Sequence, residues 1–152
     1  MKVQSQVLCA SLMALLLTAC QAEQKSLGIT GYNYTNRYID GFSVNGQGGT
    51  NLSANSNGSG EACCILIRSD QSLPVKVHVK WTYGERWNHI KGIRLQEAES
   101  HEVDVELIGP ITKDPTIFVV HFYPDNTVQV EVAADYPRPR RKRTDLWNAE
   151  PT

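Results

Sequence analysis

Short segments in which every second residue is apolar recur along most of the chain. The clearest is Val75–Tyr83, where the apolar positions are Val75, Val77, Val79 and Trp81. Because successive side chains of a β-strand point to opposite faces, this spacing predicts a strand with one buried face. Comparable segments predict six more strands: Leu27–Thr35, Tyr38–Asn45, Ala62–Arg68, Glu102–Ile108, Thr116–Tyr123 and Thr127–Ala133.

Two of these segments predict a β-hairpin. Thr116–Tyr123 is almost continuously apolar, which is typical of a central strand buried on both faces. The turn residues Pro124, Asp125 and Asn126 separate it from Thr127–Ala133. We therefore expect the two strands to pair through a tight turn.

The pattern as a whole predicts an all-β protein. Helical periodicity is not sustained over twelve residues anywhere, and we expect Gly92–Ser100 to form a short helix or an irregular link. The chain has 152 residues, 41% of them hydrophobic, which suits one domain. Its net charge of −1 does not favour nucleic-acid binding. We predict a single small antiparallel β-sandwich or open barrel of six to eight strands over residues 27–136.

The first residues have the pattern of a targeting segment. Lys2 precedes a short apolar run, Val7–Leu17, which lacks the ~20 apolar residues needed to cross a bilayer. This pattern predicts a secretory signal peptide over residues 1–19. The tetrapeptide that ends at Cys20, Leu-Thr-Ala-Cys, resembles the lipobox of bacterial lipoproteins.

The lipobox resemblance implies cleavage before Cys20 and acylation of that cysteine. Gln21 stands where an aspartate would imply retention in the inner membrane. We therefore expect a protein held at the outer membrane by its lipid anchor and facing the periplasm. Residues 20–26 would then be the lipidated cysteine and a polar tether.

The remaining cysteines outside the leader, Cys63 and Cys64, are adjacent. Neighbours on a regular strand point to opposite faces, so they can pair with each other only where the backbone is distorted. Three alternatives remain open: two reduced thiols, a vicinal disulfide that acts as a rigid turn or redox element, and pairing between molecules.

The segment Asn45–Gly60 differs from the rest of the chain. It carries no charge, holds five of the eleven glycines and has one large apolar residue, Leu52. It is expected to be either a mobile connector or a contact loop whose backbone can approach a partner closely. For the second alternative, the partner-binding residues we expect are Tyr34, Tyr38, Asn45, Gly48, Gly49 and Asn51.

Catalytic and metal-binding patterns are not found in the sequence. His78 lies on the polar side of its strand, and His121 lies in an apolar run and is interpreted as a core or edge histidine. The acidic segment Glu97–Glu106 is interpreted as an exposed negative stripe able to steer a basic partner. We therefore predict a non-enzymatic protein with no cofactor, no metal site and no small-molecule substrate.

The C-terminal residues 137–152 form a basic tail with the charged residues Arg138, Arg140, Arg141, Lys142 and Arg143. Attraction of such a tail to anionic lipid head groups is worth ~1 kcal/mol per basic residue near the surface. A solvated tail without a partner is the alternative interpretation.

Several features, taken in order, resemble a family of Gram-negative lipoproteins that carry a domain of unknown function. They are the lipobox Cys20, the Tyr34/Tyr38 region leading to Phe42–Gly46, Gly48 and Gly49 with Asn51, the pair Cys63 and Cys64, the strand Val77–Trp81 and the segment His121–Asp125. This family is often encoded beside phospholipase effectors of type VI secretion. The resemblance therefore implies an immunity protein that binds and neutralises a secreted phospholipase.

The function expected from the sequence is thus a membrane-anchored periplasmic lipoprotein that binds a protein partner. Two alternatives remain. The first is a structural or envelope-stress lipoprotein that binds lipid or peptidoglycan through its basic tail. The second is a redox protein that uses the vicinal dithiol of Cys63 and Cys64.

Overall fold

The computed structural model describes residues 23–58, 60–68, 71–107 and 109–139. The expected signal peptide, Cys20 and the tail residues 140–152 lie outside these ranges, and so do the predictions made for them. The described residues form ten strands: β1 (Gln24–Asn33), β2 (Ile39–Val44), β3 (Gln47–Gly48), β4 (Ala62–Arg68), β5 (Val75–Tyr83), β6 (Arg86–Asn88), β7 (Ile93–Gln96), β8 (Glu99–Leu107), β9 (Ile117–Phe122) and β10 (Val128–Ala133).

Eight of these strands build two four-stranded sheets, and β6 and β7 form a separate two-stranded sheet. The first sheet has the order β10-β9-β1-β4 and the second the order β3-β2-β5-β8. Apolar side chains from both sheets meet in one core cluster, which includes Leu27, Phe42, Val79 and Phe118. The all-β, sandwich-like fold expected from the sequence is thus confirmed.

The alternating segments fold as their spacing predicts. In β5 the side chains of Val77, Val79, Trp81 and Tyr83 are buried, while the residues between them are largely exposed. All six residues of β9 are buried, because this strand lies inside its sheet and is covered on both faces. β9 and β10 form the expected antiparallel hairpin. One strand pair differs from the expected antiparallel arrangement, because β1 and β9 are parallel.

Two boundaries differ from the sequence prediction. The short helix or irregular link expected at Gly92–Ser100 is wrong, because this segment contains β7 and the start of β8. Gly92 has a positive φ of 63° and lies in the turn before β7, a backbone conformation that glycine adopts without steric cost. In addition, β1 begins at Gln24, so residues 24–26 of the expected tether pair with residues 66–68 of β4.

The segment Asn45–Gly60 is tied to the sandwich rather than free of structure. Asn45 and Gly46 have positive φ angles of 50° and 81°, and they form the two-residue turn between β2 and β3. Further along, Leu52 is 1% exposed and forms a bridge with Ile39. A mobile connector was one of two expectations for this segment, and these backbone pairings and the buried leucine do not support it.

A second buried cluster covers the outer face of the first sheet. It contains Tyr32, Tyr34, Ile117 and Val119. The fully buried His121 accepts or donates one hydrogen bond at Nδ1 with the Tyr34 hydroxyl, at 2.9 Å, and Nε2 lies 2.8 Å from Glu131 Oε1. The interpretation of this histidine as a core residue with satisfied ring nitrogens is confirmed.

Candidate interaction surface

Large apolar side chains are exposed mainly on one hairpin, residues Arg86–Gln96, which we call the arm. Seven large hydrophobic residues of the described chain are exposed, and four of them lie on the arm: Trp87 (44%), Ile90 (98%), Ile93 (53%) and Leu95 (56%). Single exposed apolar residues are ordinary on a protein surface, but a contiguous group of them marks an interaction site. The arm is therefore the strongest candidate for a binding surface.

The arm extends the second sheet at the end remote from the start of β1. β5 and β8 remain paired up to Tyr83 and Glu99, and the arm lies beyond that pair. At the same end, the amide of Gly84 donates to the carbonyl of Tyr38 at 2.9 Å. β1 has ten residues, and at ~3.3 Å per residue its first residue lies about 30 Å from this end.

Ion pairs join side chains at the base of the arm. Arg94 contacts the carboxylates of Glu85 and Glu97, which flank the arm in sequence. The indole Nε1 of Trp87 donates to Glu85 at 2.8 Å. Among the described residues, Arg86 and Lys91 have no acidic partner, so the outer part of the arm combines apolar side chains with positive charge.

Beside the arm lies a pocket of about 400 Å³, which is lined by Asn36, Arg37, Tyr38, Gly84, Arg86 and Gln96, among others. The guanidinium of Arg37 lies 4.2 Å from the ring centroid of Tyr83 and donates to the Glu99 carboxylate. This hydrogen bond holds the pKa of Glu99 below its ordinary value, and burial raises the pKa of Tyr83. The positive charge of Arg37 is therefore largely compensated within the wall of the pocket.

The structure separates the partner-binding residues expected from the sequence. Tyr38 is 41% exposed and lies beside the arm. Tyr34 is 1% exposed and its hydroxyl bonds to His121, so this side chain offers no surface to a partner. Asn45 lies opposite His78 in the middle of β5, about 20 Å from Tyr38 at ~3.3 Å per residue. The structure therefore does not bring the expected residues together at one site.

Gly48 and Gly49, which belong to the expected partner-binding residues, differ in how closely other atoms surround them. A Cβ at Gly49 would lie within 2.5 Å of three ring atoms of Phe42, whereas a Cβ at Gly48 would meet no atom within 4 Å. Gly49 is thus needed for core packing. Gly48 and Asn51 are exposed.

The negative stripe expected from Glu97–Glu106 is balanced by a neighbouring basic row. On the outer face of the second sheet, His78 Nδ1 lies 2.9 Å from Asp104 Oδ1, and Lys76 Nζ lies 3.9 Å from Asp104 Oδ2. His78 Nε2 also lies 3.9 Å from Glu102. Since Lys76 and Lys80 lie opposite Glu106 and Glu102 in the same ladder, the face forms a mixed ladder and not a field of one sign.

Cys63 and Cys64 are joined by a disulfide in the edge strand β4. The ladder between β1 and β4 shifts register here, so that the two cysteines lie opposite the single residue Gly28. This is the local backbone distortion that a vicinal pair requires. Cys63 is exposed and Cys64 half-buried.

Metal-ligand clusters and membrane-spanning helices are not found among the described residues. Groups of three or more metal-ligating side chains do not occur in residues 23–58, 60–68, 71–107 and 109–139. In the same ranges there is no apolar helix of membrane-spanning length. Arg138 is exposed, and the other four basic tail residues lie outside the described ranges.

The sequence analysis did not predict the arm, because its apolar residues follow neither the two-residue period of a β-strand nor the 3.6-residue period of an α-helix. Both faces of the arm are exposed, so burial imposes no alternation on Trp87–Leu95. One signal was present in the sequence: Ile90 and Ile93 flank Lys91 and Gly92, a polar residue followed by a turn glycine.

Fold and surface together define a class of protein: a small β-sandwich with an exposed apolar arm and without a metal-ligand cluster in its described part. A family model described as protein of unknown function (DUF3304) matches residues 32–130. This match covers 99 of the 152 residues, and the chain belongs to that family. No curated protein and no solved structure matches the chain.

Proposed function

We propose that this protein is a non-enzymatic, membrane-anchored lipoprotein of the cell envelope that binds a protein partner through the arm. The observation that carries the proposal is the exposure of Trp87, Ile90, Ile93 and Leu95 on one short hairpin. Leaving these side chains in water is unfavourable by ~25 cal/mol per Å² of apolar surface, and docking would remove that surface from water. Packing of the sandwich core does not require such exposure.

The position of the arm favours a protein partner over the membrane of the anchor. If Cys20 carries acyl chains, the anchor lies just before Gln24, at the end of β1 remote from the arm. The arm then points away from that membrane. At its base, the carboxylates of Glu85, Glu97 and Glu99 are paired with Arg94 and Arg37, so the base offers no excess of positive charge to anionic lipid.

The arm also has the residue types that dominate binding energy at protein interfaces. Trp, Tyr and Arg are enriched at such positions, and here Trp87, Tyr38 and Arg86 lie around one pocket and hairpin. The resemblance to lipoproteins encoded beside type VI phospholipase effectors supports a secreted phospholipase as the partner.

The test measures inhibition of a phospholipase effector, sought among the genes beside this one. Hydrolysis of phospholipid vesicles is followed with the mature protein, with Trp87→Ala and with Ile90→Asp. Because a central interface anchor is worth ~2 kcal/mol or more, each variant should weaken inhibition by at least ~30-fold. Leu66→Asp is the matched control, since Leu66 is 64% exposed on β4, away from the arm.

The proposal fails if the gene has no phospholipase neighbour that the protein binds, or if both arm variants inhibit as well as the Leu66→Asp control. A binding measurement on lipid vesicles distinguishes docking to a protein from insertion of the arm into lipid. A blue shift of tryptophan emission on anionic phosphatidylglycerol vesicles, lost in Ile90→Asp, would assign the arm to lipid and overturn the protein-docking proposal.

A further inference from the structure

The four outer strands of the sandwich differ in how well their edges are protected. β3 has only two residues, and β4 carries the bulge at Cys63 and Cys64. Short strands and bulges are two devices by which proteins prevent further strands from adding to a sheet. The other two outer strands, β8 with nine residues and β10 with six, have neither device.

β8 and β10 lie along the same side of the sandwich and enclose an open groove of about 850 Å³. Its floor is apolar and consists of valines that point between the sheets: Val103, Val105, Val128, Val130 and Val132. The three valines of β10 are nearly buried, and the two of β8 are half-buried. The groove therefore gives access to the edge of the core.

Main-chain groups of both strands point into this groove. The amide of Tyr123 donates to the carbonyl of Thr127, and in an antiparallel ladder every second residue bonds to the same neighbour. Gln129 and Glu131 therefore bond to β9, and the N–H and C=O groups of Val128, Val130 and Val132 point away from it. The same alternation applies to β8. The amide of Asn45 donates to the carbonyl of His78, so the even-numbered residues of β5 bond to β2 and the odd-numbered ones bond to β8. The main-chain groups of the even-numbered residues of β8 therefore point away from β5, towards the groove.

The rim of the groove is acidic. Asp104 and Glu106 of β8 and Glu131 of β10 line it, and lysine or arginine does not occur among its lining residues in the described chain. Asp104 is paired with His78 and Glu131 with His121. Glu106 lies opposite Lys76 in the ladder between β5 and β8, but Lys76 is not among the residues that line the groove, so the three lining carboxylates leave the net charge that faces an occupant negative.

We propose that the groove between β8 and β10 binds an extended segment of a partner protein as an added β-strand, with alternating apolar and basic residues. The main-chain groups of β10 would pair with that strand. Its apolar side chains would cover the valine floor, and its basic side chains would face the acidic rim. Such strand addition takes affinity from main-chain hydrogen bonds and specificity from alternate side chains. This surface is separate from the arm and does not depend on the role proposed for it.

The test uses the mature full-length protein and a synthetic peptide of alternating lysine and valine, with the six-residue length of β10. Amide hydrogen exchange is followed by NMR with and without the peptide. The amides of Val128, Val130 and Val132 should exchange at least ~10-fold more slowly in its presence, because strand pairing would protect them. A peptide of alternating glutamate and valine should give no protection.

Charge reversal gives a second readout. Glu106→Lys should weaken binding of the basic peptide about fivefold, in line with ~1 kcal/mol for a partly exposed pair. Glu102→Lys is the matched control, because Glu102 lies on the same strand but outside the groove. Ile90→Asp should bind the peptide normally, which separates this result from the function proposed for the arm.

Three outcomes would overturn the inference. The first is that amide exchange at Val128, Val130 and Val132 is not slowed at any concentration of the basic peptide. The second is equal binding of the basic and acidic peptides. The third is protection of the same amides by raising the protein concentration alone, which would assign the groove to a second copy of the chain.

Discussion

The hydrogen bond between Tyr34 and His121 gives a test of how a polar contact stabilises the second buried cluster. Tyr34 is 1% and His121 0% exposed, and the oxygen and nitrogen lie 2.9 Å apart. Tyr34→Phe keeps the ring, which stacks with that of His121 at 5.8 Å between centroids. The substitution therefore removes the hydroxyl group and little packing.

Loss of this partner should lower the free energy of unfolding by ~1–3 kcal/mol, the cost of leaving a buried polar atom without its hydrogen bond. For a domain of about this size, that corresponds to a fall in Tm of ~4–12 °C. Urea denaturation followed by tryptophan fluorescence, to which the buried Trp81 contributes, measures the change.

Tyr123→Phe is the matched control for this measurement. The Tyr123 hydroxyl donates to Gln129 at 3.2 Å on the exposed side of the same ring cluster. Its loss should cost less than ~0.5 kcal/mol, as is usual for surface positions. If Tyr34→Phe is as stable as the control, the interpretation of the buried pair as a stabilising contact is refuted.

Two further predictions concern packing and pH. Gly49→Ala should lower the free energy of unfolding by ~1–3 kcal/mol, because its methyl group would displace the Phe42 ring; Gly48→Ala, where space is open, should cost much less in the same urea titration, and equal effects would contradict the packing argument. The second concerns Glu99, whose pKa is lowered by the hydrogen bond from Arg37. Its contribution to stability is therefore present above the unfolded pKa of ~4.3 and is lost as the pH falls through the lower folded value. Glu99→Gln should flatten the loss of stability between pH 5 and pH 3, as measured by thermal unfolding, and an unchanged slope would show that this carboxylate is not linked to folding.

The local pattern of the chain was sufficient to predict most of the strands. The period-two spacing in β5 and the continuous apolar run of β9 both describe burial by immediate neighbours, which a short sequence window contains. The role of His121 followed from the same run. These features depend on which face of a strand is buried and not on which strands pair.

Other features depended on contacts between distant segments. The sequence placed Tyr34 at a binding surface, but it is buried because His121 and the outer cluster cover it from 87 positions away. The acidic stripe of β8 loses its single sign because β5 lies beside it with Lys76 and Lys80. Neither pairing is encoded in the spacing of the residues concerned.

Side-chain chemistry within about ten residues is enough to set the secondary structure class, the alternation of buried and exposed faces, and the turn-rich character of the connections. Contacts between distant segments set the parallel pairing of β1 and β9, the position of the arm at Arg86–Gln96 outside the core, and the common groove of β8 and β10. These depend on which strands become neighbours, and that choice is made by the burial of the whole core rather than by any single segment.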